Sequence, residues 1–231
     1  KNSLIMNLIK EDNILSEKAI HCAHDRKING LSNILSKILK DKNKVTSICA
    51  AVVLLENDSE NKNAIKVFKK IKNSSDSTVL KGMLLNVKNY PNLLTKDELI
   101  NIYYKNNINI KNIILEIIKE KPDEIFFEMI FESILNPKLK KNALRSLYML
   151  PKKFSQEKIK AILKNQKTDR RIIVEILKFG NKVIDKTFIS QLIFFLDHND
   201  SLIISEASNA MILISKSNNL ENTVHQKIES K

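Results

Sequence analysis

The stretch KLKKNALRSLYMLPKKFSQEKIKAILKNQKTDRRIIVEILKFG, residues 138–180, reads as a helix, a proline-marked corner, a second helix, a short turn and a third helix. Ala143, Leu144, Leu147 and Tyr148 fall at i, i+1, i+4 and i+5, the spacing that gives a helix one apolar stripe. The same stripe returns downstream at Ile172, Ile173, Ile176 and Leu177, and upstream at Ile113, Ile114, Ile117 and Ile118. A period of roughly 30 residues holds two helices and two turns and is too short for an independent domain.

Prolines keep the same beat. Pro91, Pro122 and Pro151 lie 31 and 29 residues apart, each just beyond a second helix, and Phe179–Gly180 takes the equivalent place one unit on. Proline suits such a corner because it cannot continue the preceding helix and is harmless in the first turn of the next.

Outward from that stretch, the pattern can be followed to both ends. Leu4, Ile5, Leu8 and Ile9 form a short stripe; Ser16 is placed to cap a helix carrying Ala19, Ile20 and Ala23; Gly30 is a break. Leu31, Ile34, Leu35, Ile38 and Leu39 pair with Ala50, Ala51, Leu54 and Leu55 across a connection at 41–44, short enough to make antiparallel neighbours. Ala64, Ile65, Phe68 and Ile71 pair with Val79, Leu80, Met83, Leu84 and Val87 across a polar turn at 73–77. Thr95 with Glu98 fits a capping box ahead of Leu99, Ile102 and Tyr103. Ile125, Phe126, Met129, Ile130 and Ile134 precede Pro137. Phe188, Ile189, Leu192, Ile193 and Leu196 pair with Ala207, Ala210, Met211 and Ile214, and 219–230 reads as a short terminal helix.

Composition narrows the class. The 231 residues are 43% hydrophobic, enough for a substantial core, with only four prolines and three glycines, which disfavours sheets joined by tight turns and long flexible linkers. No apolar run approaches the roughly 18 residues of a membrane span. The chain begins at Lys1 and not methionine, so it reads as an excised piece or processed product of a longer chain. Few cysteines and no visible export segment make the cytoplasm the expected location. Cys22 and Cys49 match no metal spacing, and Cys49 falls within an apolar stripe as a buried thiol would.

These units, above all KNIILEIIKEKP, KNALRSLYMLP and RRIIVEILKFG, resemble the HEAT/armadillo-type helical repeat superfamily over essentially residues 1–231. Units of roughly 30 residues are shorter than typical HEAT units, so the tandem-repeat variant stays open. The resemblance implies an all-α, right-handed αα-solenoid of about six or seven helical hairpins forming a single HEAT/armadillo-like domain. It also implies a concave face used for binding, and it names no partner or activity.

The net charge of +13 favours nucleic acid, anionic lipid or an acidic protein as partner. The cations are overwhelmingly lysine beside abundant Asn and Ile, a bias that AT-rich coding would give whatever the function. Position is therefore more informative than number. Lys81, Lys111, Lys140, Lys141, Arg170 and Arg171 recur near the starts of second helices, a basic ladder able to meet regularly spaced phosphates or an acidic peptide. The plainer reading is that they solvate the polar helix faces. A second basic run, from Lys152 to Arg171, lacks the interleaved aromatics that single-strand binders stack bases on.

Enzymatic readings find little support. Some HEAT-like proteins are DNA glycosylases whose concave site uses tryptophans and an aspartate, and this chain has no Trp. The cluster IHCAHD, with His21, Cys22, His24 and Asp25, supplies metal-type donors, but zinc needs three or four that converge, and a polar helix surface is the plainer reading. Glu124, Glu128 and Glu132 line one helix face as solvating charges. No P-loop, GxGxxG segment, nucleophile elbow or HExxH pair occurs. Phe126–Phe127 and Phe194–Phe195 cannot each point one way, so one of each pair packs on a neighbouring unit or faces a partner. The reading that results is a non-enzymatic scaffold, without cofactor or metal, binding a protein partner on its concave surface. DNA or RNA bound through the ladder is the alternative.

Overall fold

The computed structural model describes residues 2–11, 14–40, 44–165, 167–179 and 183–218. Among them are fourteen α-helices in chain order: α1 (Asn2–Lys10), α2 (Ile14–Asp25), α3 (Leu31–Ile38), α4 (Lys44–Asn57), α5 (Lys62–Lys72), α6 (Ser77–Val87), α7 (Lys96–Lys105), α8 (Ile108–Glu120), α9 (Phe127–Ile134), α10 (Lys140–Met149), α11 (Lys152–Lys164), α12 (Arg170–Lys178), α13 (Ile189–Leu196) and α14 (Ser201–Asn218). Short 3₁₀ turns at Pro91–Leu93, Glu124–Phe126 and Lys186–Phe188 join some of them. The helices gather into two compact units, Lys1–Lys121 and Pro122–Lys231. The connection at 41–43, Gly180 and the terminal helix expected over 219–230 lie outside the described residues.

In the first unit α1 packs on α2, α3 on α4, α5 on α6 and α7 on α8, while the second helices α2, α4, α6 and α8 pack in series. This is the hairpin arrangement a helical repeat requires. Helix α4 is the centre: it touches α2, α3, α5 and α6, and Thr46 to Leu55 are all buried. Its sequence explains this, because Ile48–Leu55 is apolar on every side and Ala50 and Ala51 let neighbours approach.

Ends are set by local chemistry. Lys27, at φ 50°, closes α2 with Ile28 N–H donating to Ala23 C=O and Lys27 N–H to His24 C=O, a Schellman ending, and Gly30 at φ 79° then leads into α3. Thr95 and Glu98 form the expected capping box, each accepting from the other's backbone N–H. Asp76 caps α6 and Asn107 caps α8. Ser16 is not a cap. It lies inside α2, buried, and its hydroxyl donates to Leu8 C=O at 3.0 Å, tying α2 to α1, because the helix begins at Ile14, ahead of the start that a cap at Ser16 implies.

In the second unit α9 packs on α10, α10 on α11, α11 on α13, α12 on α14 and α13 on α14. Phe126, Phe127 and Phe188 are almost wholly buried; Phe127 stacks on Phe131 at 5.5 Å and meets Phe154 edge-on at 5.7 Å. Phe188 belongs to a 3₁₀ turn capped by Asp185 and not to the first turn of α13. The two phenylalanine pairs behave differently: both members of Phe126–Phe127 are interior, whereas Phe195 is buried and Phe194 is 62% exposed.

Candidate functional site

The six basic side chains expected to form a ladder do not share one environment. Lys81, on α6, and Lys141, on α10, are exposed, with no ion pair among the described residues. Lys111 lies over the Tyr103 ring, 4.8 Å from its centroid. Lys140 pairs with Glu175, Arg170 holds both carboxylate oxygens of Asp200, and Arg171 folds back on Asp169, the cap of its own helix. Half of the ladder is thus engaged by carboxylates.

The Arg170–Asp200 pair has counterparts at nearly the same interval along the chain. Lys72 pairs with Glu98 26 residues on, Lys88 with Glu116 28 on at 2.6 Å, and Arg170 with Asp200 30 on. Gln156 donates to Asp185, 29 residues on, at 2.7 Å, and Lys160 donates to Thr187, 27 on, at 2.7 Å. Lys121 donates to Asn92, 29 residues back. Each joins a hairpin to its neighbour, so the polar residues repeat with the core because they bind one repeat to the next. The carboxylates respond accordingly. The Arg170 guanidinium holds Asp200 down to about 2, and the Arg171 side chain lowers Asp169. Partial burial would raise Glu98 and Asp185, but bonds from Lys72 and Thr95 to the first, and from Thr187 and Gln156 to the second, lower both.

The IHCAHD segment of α2 is not an exposed polar face. His21 and His24 are both partly buried, and they converge on Tyr90, whose hydroxyl is 3.2 Å from Nδ1 of each ring. Asn86 fixes the pattern: its amide N–H donates to Gly82 C=O, so its Oδ1, 2.9 Å away, accepts from His21 Nε2–H. With Nε2 donating, the His21 ring accepts the Tyr90 hydrogen at Nδ1, and the Tyr90 oxygen lies beside His24 Nδ1. Cys49 Sγ lies 3.5 Å from His21 Nε2, and His24 Nε2 lies 3.1 Å from Asn57 Oδ1. The cluster therefore joins α2, α4 and the end of α6. Asp25 Oδ1 lies 3.8 Å from His24 Nδ1.

Burial, reinforced by the charges of Asp25 and Glu56, pushes Tyr90 up to about 12. Burial and then Glu17 push the Cys49 thiol up. A neutral thiol with no measurable exposure is not a nucleophile, and this chemistry suits joining helices rather than catalysis. Among the described residues no three His, Cys, Asp or Glu side chains converge to hold a metal ion. No helix there is long and apolar enough to cross a membrane.

The sequence reading missed Tyr90 and Asn86 as partners of the histidines. A signal was present: Asn86 interrupts the buried run Met83, Leu84, Val87 on α6, and a buried amide requires hydrogen-bond partners. Nothing in the spacing told which partners, since they lie 65 to 69 residues apart.

No protein-family model matches the chain, and no curated protein matches it. Among solved structures it is similar to the crystal structure of an engineered protein, at 16% identity over 93% of this chain and 68% of the other, with a TM-score of 0.41. A likeness that slight carries no argument about fold or function.

Proposed function

We propose that the chain is a single HEAT/armadillo-like repeat scaffold of about six or seven hairpins that binds a protein partner through its second helices, the series that the repeat reading places on the concave surface. One observation supports this above nucleic acid. Half of the basic residues that follow the repeat are engaged by carboxylates within the chain, whereas the second helices leave large apolar side chains open: Leu85 on α6 (46% exposed), Met149 on α10 (53%) and Ile212 and Leu213 on α14 (50% and 44%). Large apolar side chains fill the desolvated centre of a protein interface and gain nothing from a phosphate backbone.

Nucleic acid is the second reading. The net charge of +13 and the exposed Lys81 and Lys141 support it.

The deciding experiment is fluorescence anisotropy with duplex DNA, single-stranded DNA and RNA at low and physiological salt. The intact chain is compared with a folded Lys81/Lys111/Lys140/Lys141 charge-removal variant, and affinity capture is run beside it with a Met149→Ser/Ile212→Ser/Leu213→Ser variant. The protein reading expects nucleic-acid binding that fades by physiological salt and a captured partner lost with the apolar substitutions. Nucleic-acid binding that survives physiological salt and collapses on charge removal would overturn it.

A further inference from the structure

The second unit contains a half-open cavity of about 450 Å³ between the end of α11, the start of α12 and α13, a volume within the range of small-molecule sites, roughly 300–1,000 Å³. Much of its wall is apolar. Leu163, Ile173 and Phe195 are buried, and Phe194, mostly exposed, adds a second ring 5.7 Å from that of Phe195. Gln191 belongs to the wall as well, since its Oε1 has essentially no accessible surface and offers nothing to a ligand.

The rest of the lining is made of hydrogen-bond donors. Asn165 and His198 hold equivalent places in successive turns, just beyond the ends of α11 and α13. Each takes the backbone N–H two residues on: Asn165 Oδ1 accepts from Lys167 and His198 Nδ1 accepts from Asp200, both at 3.0 Å. A side chain whose acceptor is used in this way presents its donor, here Asn165 Nδ2–H and His198 Nε2–H. Lys164, in the last turn of α11, is an exposed cation with no ion pair among the described residues, and Ser190 adds an exposed hydroxyl from the first turn of α13. None of the described lining residues is acidic.

We propose that this cavity binds a small organic carboxylate with an apolar body. The body lies against Leu163, Ile173, Phe194 and Phe195, and the carboxylate accepts from the Lys164 ammonium and from the donors of Asn165, His198 and Ser190. An ionised carboxylate has about four acceptor sites and no hydrogen, the complement of a lining that donates. One ammonium balances one negative charge, so a monoanion fits better than a phosphate ester with two. The inference does not depend on the protein-binding reading, none of whose open apolar side chains lines the cavity.

Naphthalene-2-carboxylate is a direct probe. The chain has no Trp, so excitation to the red of tyrosine reads the ligand alone. Fluorescence titration should give saturable binding that weakens with salt; naphthalene-2-carboxamide, which is neutral, and acetate, which lacks the apolar body, should each bind about tenfold more weakly. Asn165→Asp keeps an acceptor for the Lys167 N–H and puts a negative oxygen where the amide donor stood, so it should weaken the probe about tenfold with little change in Tm. Lys164→Ala should weaken it several-fold and flatten the salt dependence, and Phe194→Ala, an exposed change that leaves the core intact, should also weaken it. Lys81→Ala, in the other unit, should leave it unchanged. No saturable binding of naphthalene-2-carboxylate at millimolar concentration, equal affinity for the carboxamide, or affinity unchanged in folded Asn165→Asp and Lys164→Ala would overturn the proposal. So would an equal loss in Lys81→Ala, which would make the binding a general effect of the net charge of +13.

Discussion

In the first unit a part-buried set of uncharged or neutralisable groups, His21, His24, Tyr90, Asn86 and Cys49, is packed between α2, α4 and α6. In the second unit the corresponding contacts are surface charges at helix starts, Arg170 on Asp200, Arg171 on Asp169 and Lys152 on Asp185 at 3.9 Å. Arg170 and Lys152, like the first set, tie neighbouring helices together, while Arg171 braces the cap of its own helix, and the physics of the two kinds differs. A buried hydrogen-bond set is insensitive to salt and strongly disturbed by losing one member, whereas exposed ion pairs are screened and individually weak. Periodic sequence can therefore be fastened by non-periodic means.

The comparison needs a scale set by the apolar core. Phe188→Ala removes a side chain with no exposed surface and should lower unfolding free energy by about 3–5 kcal/mol in denaturant titration, more than any polar change below. Tyr90→Phe should come next. It deletes the hydroxyl that serves two histidines and should cost about 1–3 kcal/mol, equally at low and at molar salt, by the same titration.

Asp200→Asn should have a smaller effect on Tm, one that vanishes in molar salt. An equal or greater loss than for Tyr90→Phe would break the comparison. Its pH signature has a definite sign. Asp200 is held down to about 2, so its contribution is complete above the ordinary aspartate value near ~3.9 and is lost as pH falls toward 2. Asp169 and Asp185, also lowered, act in the same direction.

Glu17, in the first unit, is the smallest and opposite case. Burial raises its carboxyl against the pull of His21, and Oε1 lacks a hydrogen-bond partner among the described residues. Its penalty is full above the raised value and absent below the ordinary glutamate value near ~4.3, where the group is protonated in both states. Glu17→Gln should therefore raise Tm slightly at neutral pH, with the gain shrinking on acidification.

What could be read in the sequence follows from the range of each signal. Helix positions, the Thr95–Glu98 box and the buried stripes were legible because they depend on neighbours within one or two turns. The repeat made hairpin pairing legible as well. The state of each charge was not. Lys81 and Lys141, like Lys140 and Arg170, lie in the first half of second helices, yet only the latter two meet carboxylates, Glu175 and Asp200. Those partners sit a whole repeat away, and residue type alone cannot distinguish a cation awaiting a ligand from one engaged at home. For the same reason His21 and His24 read as a surface pair until Tyr90 was placed beside them.

The length of the His21–Tyr90 link has a consequence for how the chain is made. Most polar ties join residues 26 to 30 apart and can close as soon as the next hairpin emerges from the ribosome. His21 must wait 69 residues for Tyr90 and 65 for Asn86. During that interval α2 has only its contacts with α4, to Cys49 and Asn57, and the arrival of the third hairpin completes the set. The network is thus a completion signal for vectorial folding: a nascent chain halted before residue 90 should leave His21 and His24 open to chemical labelling, and one extended beyond it should protect them.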